Sequence, residues 1–267
     1  MTVLEYKKKA NEVRKTVLRL IYEAQTSHIG SNFSCADILV VLYAIANIDK
    51  DLKEDRDRIV VSKGWVAATI YVLLAEKGII PKEDLETYCK EGSSYIGLVE
   101  PAVRGIEAAG GSMGYGVPFG VGFALAKKLK KEKGKVFVLM SDGELQIGTT
   151  WESLLIAAQH NLSNLVVLVD NNSWQAMGRT KDILNTEPVE EKVRAFGWNA
   201  HRIDGHNYEQ IEQAVKSESA NSPTFIVADT LKGKGVKRFE DNNMYHYKEL
   251  SKEEYEEALR ELSQLNG

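Results

Sequence analysis

The sequence predicts an α/β protein with a mostly parallel central sheet and helices on both of its faces. Three observations carry this. Short apolar runs rich in β-branched residues, at 136–140, 165–169 and 223–229, read as buried strands. The first two stop abruptly at polar turns, Ser141-Asp142-Gly143 and Asp170-Asn171-Asn172. Between them lies a helical pattern, and strand, helix, strand within this length is a βαβ unit with parallel strands and a right-handed crossover. Both strands then end on one side of the sheet, where open α/β folds place their ligands. Asp142 and Asn172, 30 positions apart in sequence, would face each other there.

The elements follow in order. Residues 4–25 read as an amphipathic helix with Val13, Val17, Leu20, Ile21 and Ala24 on one face. It ends before Ile29-Gly30, and Ser34 caps a second helix with Asp37 at the capping-box position. Residues 58–61 form a short strand, after which Ser62-Lys63-Gly64-Trp65 leads into a helix to Lys77. A glycine-rich stretch precedes a helix from about Val117, with Pro118 in its first turn. Thr149 or Thr150 caps a helix to about His160 whose face is Trp151, Leu154, Leu155 and Ala158. Asn207 and Gln210 form a cap and its partner, so Asp204 and His206 read as structural. A terminal helix starts at Ser251-Lys252 and ends by Leu265.

Composition bounds the function. The 267 residues, 43% of them hydrophobic, suffice for a full α/β core. No Pro/Gly/Ser linker, charge block or internal repeat divides them, so residues 1–267 read as one domain. A net charge of −4 argues against a nucleic-acid surface, and the basic runs at 127–135 and 232–238 read as a solvated helix end and a loop. Cys35 and Cys89 fit a reducing compartment and suggest neither a disulfide framework nor a zinc site. The N-terminus is charged and helical, unlike a signal sequence, and the longest apolar run, 38–46, is too short to span a bilayer. These features predict a soluble, cytoplasmic protein without membrane or nucleic-acid partners.

The two strand ends suit a hard cation holding a diphosphate. Mg²⁺ takes near-octahedral oxygen, usually from few protein ligands, with phosphate and water completing the shell. The Asp142 carboxylate, the Asn172 amide oxygen and a main-chain carbonyl such as that of Trp174 fit, with Ca²⁺ or Mn²⁺ as substitutes. A helix N-terminus near Gly148 adds donors and a positive dipole end for the anion. Asp-Gly and Asp-Asn-Asn are also ordinary turns after strands, and spacing alone leaves both readings open.

The flanking residues add to this. D-G-E-L-x-x-G-x-x-W-E and L-x-N-L-x-x-x-V-D-x-N-x-x-Q-x-x-G resemble transketolase, and Ser141-Asp142-Gly143 with Asn171-Asn172 resembles the thiamine-diphosphate motif of GDG, a gap and NN. Ser141 stands for the motif's first glycine, and Gly143 and Glu144 belong to the same string. S-H-I-G-S-N-F-S-C-A-D-I-L resembles the family's G-H-x-G-x-x-x-S-x-x-D-I-L, which implies an active-site role for His28. Residues 97–116 align with its glycine-rich segment, implying cofactor contacts from the main chain of Gly111 and Met113 and from Gly114. After residues 230–235, in a loop that would reach the diphosphate, His246 is the candidate for a further family histidine. The resemblance covers about residues 5–250 and implies the thiamine-diphosphate-binding fold.

Three departures stand out. Trp65 and Leu98 occupy positions where the family presents histidines toward cofactor or substrate, and Ile147 replaces a glutamate of a proton-conducting network. Glu152 is retained. The resemblance is to the diphosphate-binding part of transketolase only; the second part, which carries the glutamate that activates the cofactor's aminopyrimidine, has no counterpart here. It implies the N-terminal subunit of a split enzyme, paired as an α₂β₂ heterotetramer with a C-terminal, pyrimidine-domain subunit. It would move a two-carbon ketol unit from a ketose phosphate to an aldose, with unusual substrates if the three departures matter. Acyl or acyloin transfer from a 2-oxo acid such as pyruvate is the second reading, and a non-catalytic paralogue the third.

Overall fold

The computed structural model describes residues 1–217 and 219–264. The chain opens with α1 (Val3–Glu23), where Thr2 and Glu5 close a capping box. Two helices follow, α2 (Ile29–Ser34) and α3 (Ala36–Ile45). Strand β1 (Arg58–Val61) leads through a short 3-10 turn into α4 (Ala67–Glu76). Next come α5 (Gly116–Lys130), β2 (Val136–Ser141), α6 (Gly148–Gln159) and β3 (Leu165–Asn171). A two-stranded hairpin, β4 (Trp174–Gln175) and β5 (Gly178–Arg179), precedes α7 (Thr180–Ile183) and α8 (Val189–Ala195). The chain closes with β6 (Asn199–Asp204), α9 (Tyr208–Lys216), β7 (Thr224–Asp229) and α10 (Lys252–Gln264). The expected end of the last helix at Leu265 lies outside the described residues.

The main sheet has the order β1-β2-β3-β7-β6, and all its pairings are parallel. Alternate residues of its central strands feed separate cores, as the period-2 pleat requires. Phe137, Leu139, Val166, Leu168 and Ile226 pack beneath α1, α3, α4 and α9. Val136, Val138, Met140, Val167, Val169 and Val227 pack with residues of α5, α6 and α8 on the other face. Burial on both faces explains why β2, β3 and β7 read as unbroken apolar runs. Level register sets Ser141 beside Asp170, and Asn171 beside Asp229, so the strand ends form one rim.

Four local expectations are corrected. Ser34 caps nothing: it is the last residue of α2, and its hydroxyl donates to Asp170 Oδ2 at 2.5 Å. Asp37 instead receives both Nη atoms of Arg14, at 2.9 and 2.8 Å. Thr149 and Thr150 lie inside α6, their hydroxyls donating to the carbonyls of Gly114 and Glu144 at 3.0 and 2.8 Å. The buried face of α6 is Thr150, Ser153, Leu154 and Ala157, so Leu155 is exposed. Gln210 does not reach back to the cap, because its side-chain oxygen accepts from Asp204 N. His206 is a brace, its ring bonded to Asp37 Oδ2 at 2.7 Å and to the Leu231 N–H at 2.8 Å. No helix among the described residues is long and apolar enough to cross a membrane.

Candidate functional site

The rim formed by β1, β2, β3 and β7 gathers polar groups that the apolar strands cannot hold. Asp142 follows β2 directly and is buried; its carboxylate accepts from Thr180 Oγ1 and from the Gly143 N–H, each at 2.9 Å. Burial, with the charge of Asp170 added, pushes the Asp142 carboxyl up to about 6, against the pull of Thr180 and Lys63. Asn172, just past β3, accepts from Trp174 N at 3.0 Å through Oδ1. Its Nδ2 faces Ser34 Oγ and Asp170 Oδ2 at 3.3 Å each, so this network fixes the amide orientation. The same bond to Asn172 turns the backbone at Trp174. Asp142 and Asn172 thus stand just past the ends of neighbouring parallel strands, on the same rim of the sheet.

Behind them is a buried network that sequence reasoning missed. Asp170 accepts from Lys63 Nζ, Thr230 Oγ1 and Ser34 Oγ, drawing on segments after β1 and β7 and on α2. Burial opposes its charge, yet Lys63 and these donors outweigh it and hold the carboxyl below the usual range. The signal was present in Ser62-Lys63-Gly64 and Asp170-Asn171-Asn172. What it lacked was the pairing of two groups 107 positions apart.

The glycine-rich segment forms a second wall. Gly111 and Gly114 have φ of 93° and 84°, a region open to glycine at little cost. Their N–H groups donate to Ser62 O at 3.0 Å and to Glu144 Oε1 at 3.1 Å. The Glu144 carboxylate also takes Ser62 Oγ and, at 2.8 Å, the Ser141 N–H, so it is engaged within the protein and organises the wall. Ser141 Oγ donates to the same carboxylate at 3.2 Å, a bond glycine at this position lacks. Two of the apolar departures lie on this wall. A Cβ on Gly111 would stand 2.5 Å from Leu98 Cδ1, and one on Gly114 2.3 Å from Ile147 Cγ2. The Met113 side chain is exposed, with its terminal methyl beside Gly143.

A third cluster unites His28, Trp65 and His246. His28 has φ of 73° at the start of α2, and its N–H donates to the His246 carbonyl at 3.1 Å. The two imidazoles meet edge to face at 4.8 Å. Buried Asn32 donates to the carbonyls of both His28, at 2.9 Å, and Trp65, at 3.2 Å. Burial, then the charges of Lys232 and Lys63, depress the His28 imidazole to about 4. His246 falls to about 3 through burial and then Lys232, so both rings are neutral near pH 7.

The residues present fit a metal-held diphosphate. Asp142 and Asn172 stand at the ends of adjacent strands, Trp174 is tied to Asn172 through its N–H, and Gln175 Nε2 is a buried donor without a hydrogen-bond partner, its side chain against Gly143. Lys63 and Lys232 add positive charge. Among the described residues no three His, Cys, Asp or Glu side chains cluster to hold a metal by themselves. A site of this kind therefore draws on main chain, water and ligand oxygen.

A parallel sheet that ends in these groups belongs to the class of thiamine-diphosphate-binding α/β domains. The family model for the thiamine diphosphate binding domain of transketolase matches residues 5–264. The chain belongs to the transketolase family. It is 38% identical over 264 residues to one of the subunits of the apulose-4-phosphate transketolase of Actinobacillus succinogenes, covering 97% of this chain and 96% of that one. With SqwG, a subunit of the 6-deoxy-6-sulfo-D-fructose transketolase of a Clostridium species, it shares 33% identity, again over 97% and 96% of the two chains. The solved transketolase of Campylobacter jejuni superposes with a TM-score of 0.90 at 29% identity, over 98% of this chain but 43% of that one. The chain thus spans nearly all of two relatives named as subunits and less than half of the solved transketolase.

Proposed function

We propose that residues 1–267 form a single diphosphate-binding domain that serves as the N-terminal subunit of a two-chain transketolase. A C-terminal, pyrimidine-domain subunit completes each site, in an α₂β₂ assembly. The observation that carries this is the placement of Asp142 and Asn172 at the ends of adjacent parallel strands, backed by the Lys63–Asp170 network. Asp142, Asn172 and the Trp174 carbonyl hold Mg²⁺, and the wall of Gly111, Met113 and Gly114 receives the cofactor. Gly143 and Gln175 line the same place. When bound, thiamine diphosphate supplies the carbanion chemistry that cleaves and forms the C–C bonds. The protein's share is orientation, charge and hydrogen bonding, with His28, His246 and Trp65 at the reacting end.

Partner dependence is supported by the naming of the full-length relatives as subunits and by apolar side chains around the crevice. Trp65, Met113, Met177, Met244 and Tyr247 are all exposed on segments that build the site. The two free cysteines favour a cytoplasmic location.

The substrates are a ketose donor and an aldose acceptor that depart from the ordinary pentose phosphates. Relatives named for apulose 4-phosphate and 6-deoxy-6-sulfo-D-fructose support this, as do the apolar side chains of Trp65, Leu98 and Ile147. A 2-oxo acid donor is the second reading, favoured by the same apolar wall. The test is to co-express the chain with its partner, load cofactor and Mg²⁺, and assay ketol transfer. Turnover by the pair but not by either chain supports the proposal; robust turnover by this chain alone overturns it.

A further inference from the structure

The environment of His246 distinguishes its two ring nitrogens. Lys232 is buried at 1% exposure, its stem lying against Gly30, where a Cβ would come within 3.3 Å of Lys232 Cγ. The ammonium bonds to Asn243 Oδ1 at 2.7 Å and lies 3.1 Å from His246 Nδ1. Asn243 is itself anchored, its Nδ2 donating to the Ala176 carbonyl in the β4–β5 hairpin at 3.0 Å.

A protonated lysine has donors and no acceptor. The nitrogen facing it must therefore be an unprotonated acceptor. A neutral imidazole carries its single proton on the other nitrogen, here Nε2. We propose that Lys232 is a positioning residue that locks His246 in the Nε2–H tautomer, making it a fixed hydrogen-bond donor rather than a base. This deepens the function proposed above and rests on His246 facing the reacting substrate. Burial and the charge of Lys63 lower the lysine to about 8, leaving it mostly protonated at pH 7 and able to hold the lock.

The consequence is a division of labour between the two histidines. His28 Nδ1 lies 2.7 Å from Ser27 Oγ, and a hydroxyl both donates and accepts, so that contact imposes no tautomer. His246 is held to one role. A pre-aimed N–H beside the reacting carbons stabilises oxygen that gains negative charge without reorganising. It does not remove protons at neutral pH.

The test reads the tautomer directly. The full chain is labelled with ¹⁵N at histidine, and long-range ¹H–¹⁵N spectra are recorded at pH 7, alone and with the partner chain. His246→Gln assigns the resonance. The expected result is protonated Nε2 and unprotonated Nδ1 in the wild type, retained in Lys232→Arg and replaced by a mixture in Lys232→Met. Asn243→Ala, which loosens the ammonium without removing it, gives a smaller shift the same way. A His246 carrying its proton on Nδ1, or one unaltered in Lys232→Met, overturns the proposal. The spectra need no turnover, so this outcome is separate from failure of the transketolase assay.

Discussion

The Trp65 indole lies flat on the His28 imidazole, with ring centroids 4.5 Å apart and planes 7° from parallel. Trp65 is 45% exposed, so one of its faces is open while the other covers the histidine. The stack removes water from His28 and supports its low pKa. In Trp65→Leu the His28 pKa should rise from about 4 toward the ordinary 6.5, by at least about one unit. An NMR titration of the histidine ring checks this. An unchanged pKa would mean that the rest of the packing around His28, including His246 and Tyr247, supplies its burial without the indole.

The same indole, with Leu98 and Ile147, should govern substrate choice. A substrate hydroxyl desolvated without a partner costs about 1–3 kcal/mol, so two such losses reduce kcat/KM on the order of 10²–10⁴-fold. The two-chain complex should therefore handle xylulose 5-phosphate with ribose 5-phosphate poorly and prefer a less hydroxylated or otherwise modified sugar. Side-by-side kcat/KM values decide. If the ordinary pair proves best, the three substitutions are neutral with respect to substrate.

Asp142→Ala removes the one carboxylate among the proposed metal ligands. Calorimetry on the assembled complex should show at least a ~100-fold loss of metal-dependent thiamine-diphosphate affinity, about 2.8 kcal/mol at 1.4 kcal/mol per decade. Unchanged affinity would remove Asp142 from the site.

Asp37 lies away from the crevice, between Arg14, His206 and the Tyr208 hydroxyl, which donates to it at 2.6 Å. Burial opposes its charge, but Arg14 and His206 hold the carboxyl far below the usual range. Asp37→Ala strands the Arg14 guanidinium in the core, so unfolding in urea should show a loss of about 3–5 kcal/mol. A change under about 1 kcal/mol would mean that the pair contributes little.

Acid should destabilise the chain through its two site histidines. Their folded pKa values, about 4 and about 3, lie below the unfolded value near 6.5. The unfolded chain therefore binds protons first as pH falls. The stability is fully present above about pH 6.5 and is lost toward pH 4, on the order of 3 kcal/mol for buried His28. Chemical denaturation of wild type and His28→Asn across this window should show a flatter slope in the variant.

The sequence disclosed the strands best, because burial on both faces leaves a local mark: residues 136–140 and 165–169 hold no polar side chain. Asp142, Asn172, His28 and His246 were legible as candidates from their strings. Their surroundings were not. Ser34 has the chemistry of a cap, but its acceptor Asp170 is 136 positions away, and that tertiary bond prevails over the local one. Thr149 and Thr150 are claimed by carbonyls from other segments in the same way. Lys232 in a basic run reads as solvated, and only the packing of α2 over it reveals a buried ammonium.

Trp65, Leu98 and Ile147 all lie outside the strands, in segments that follow β1, precede α5 and follow β2. The sheet, its two cores and the Lys63–Asp170 network can be inherited intact while these three positions change one codon at a time. For a lineage exploring new sugars, or an engineer grafting a new preference, the scaffold is a chassis and the rim a set of exchangeable fittings. A library confined to residues 65, 98 and 147, with side chains at 98 and 147 that still pack against Gly111 and Gly114, should then retune the donor while the sheet is kept.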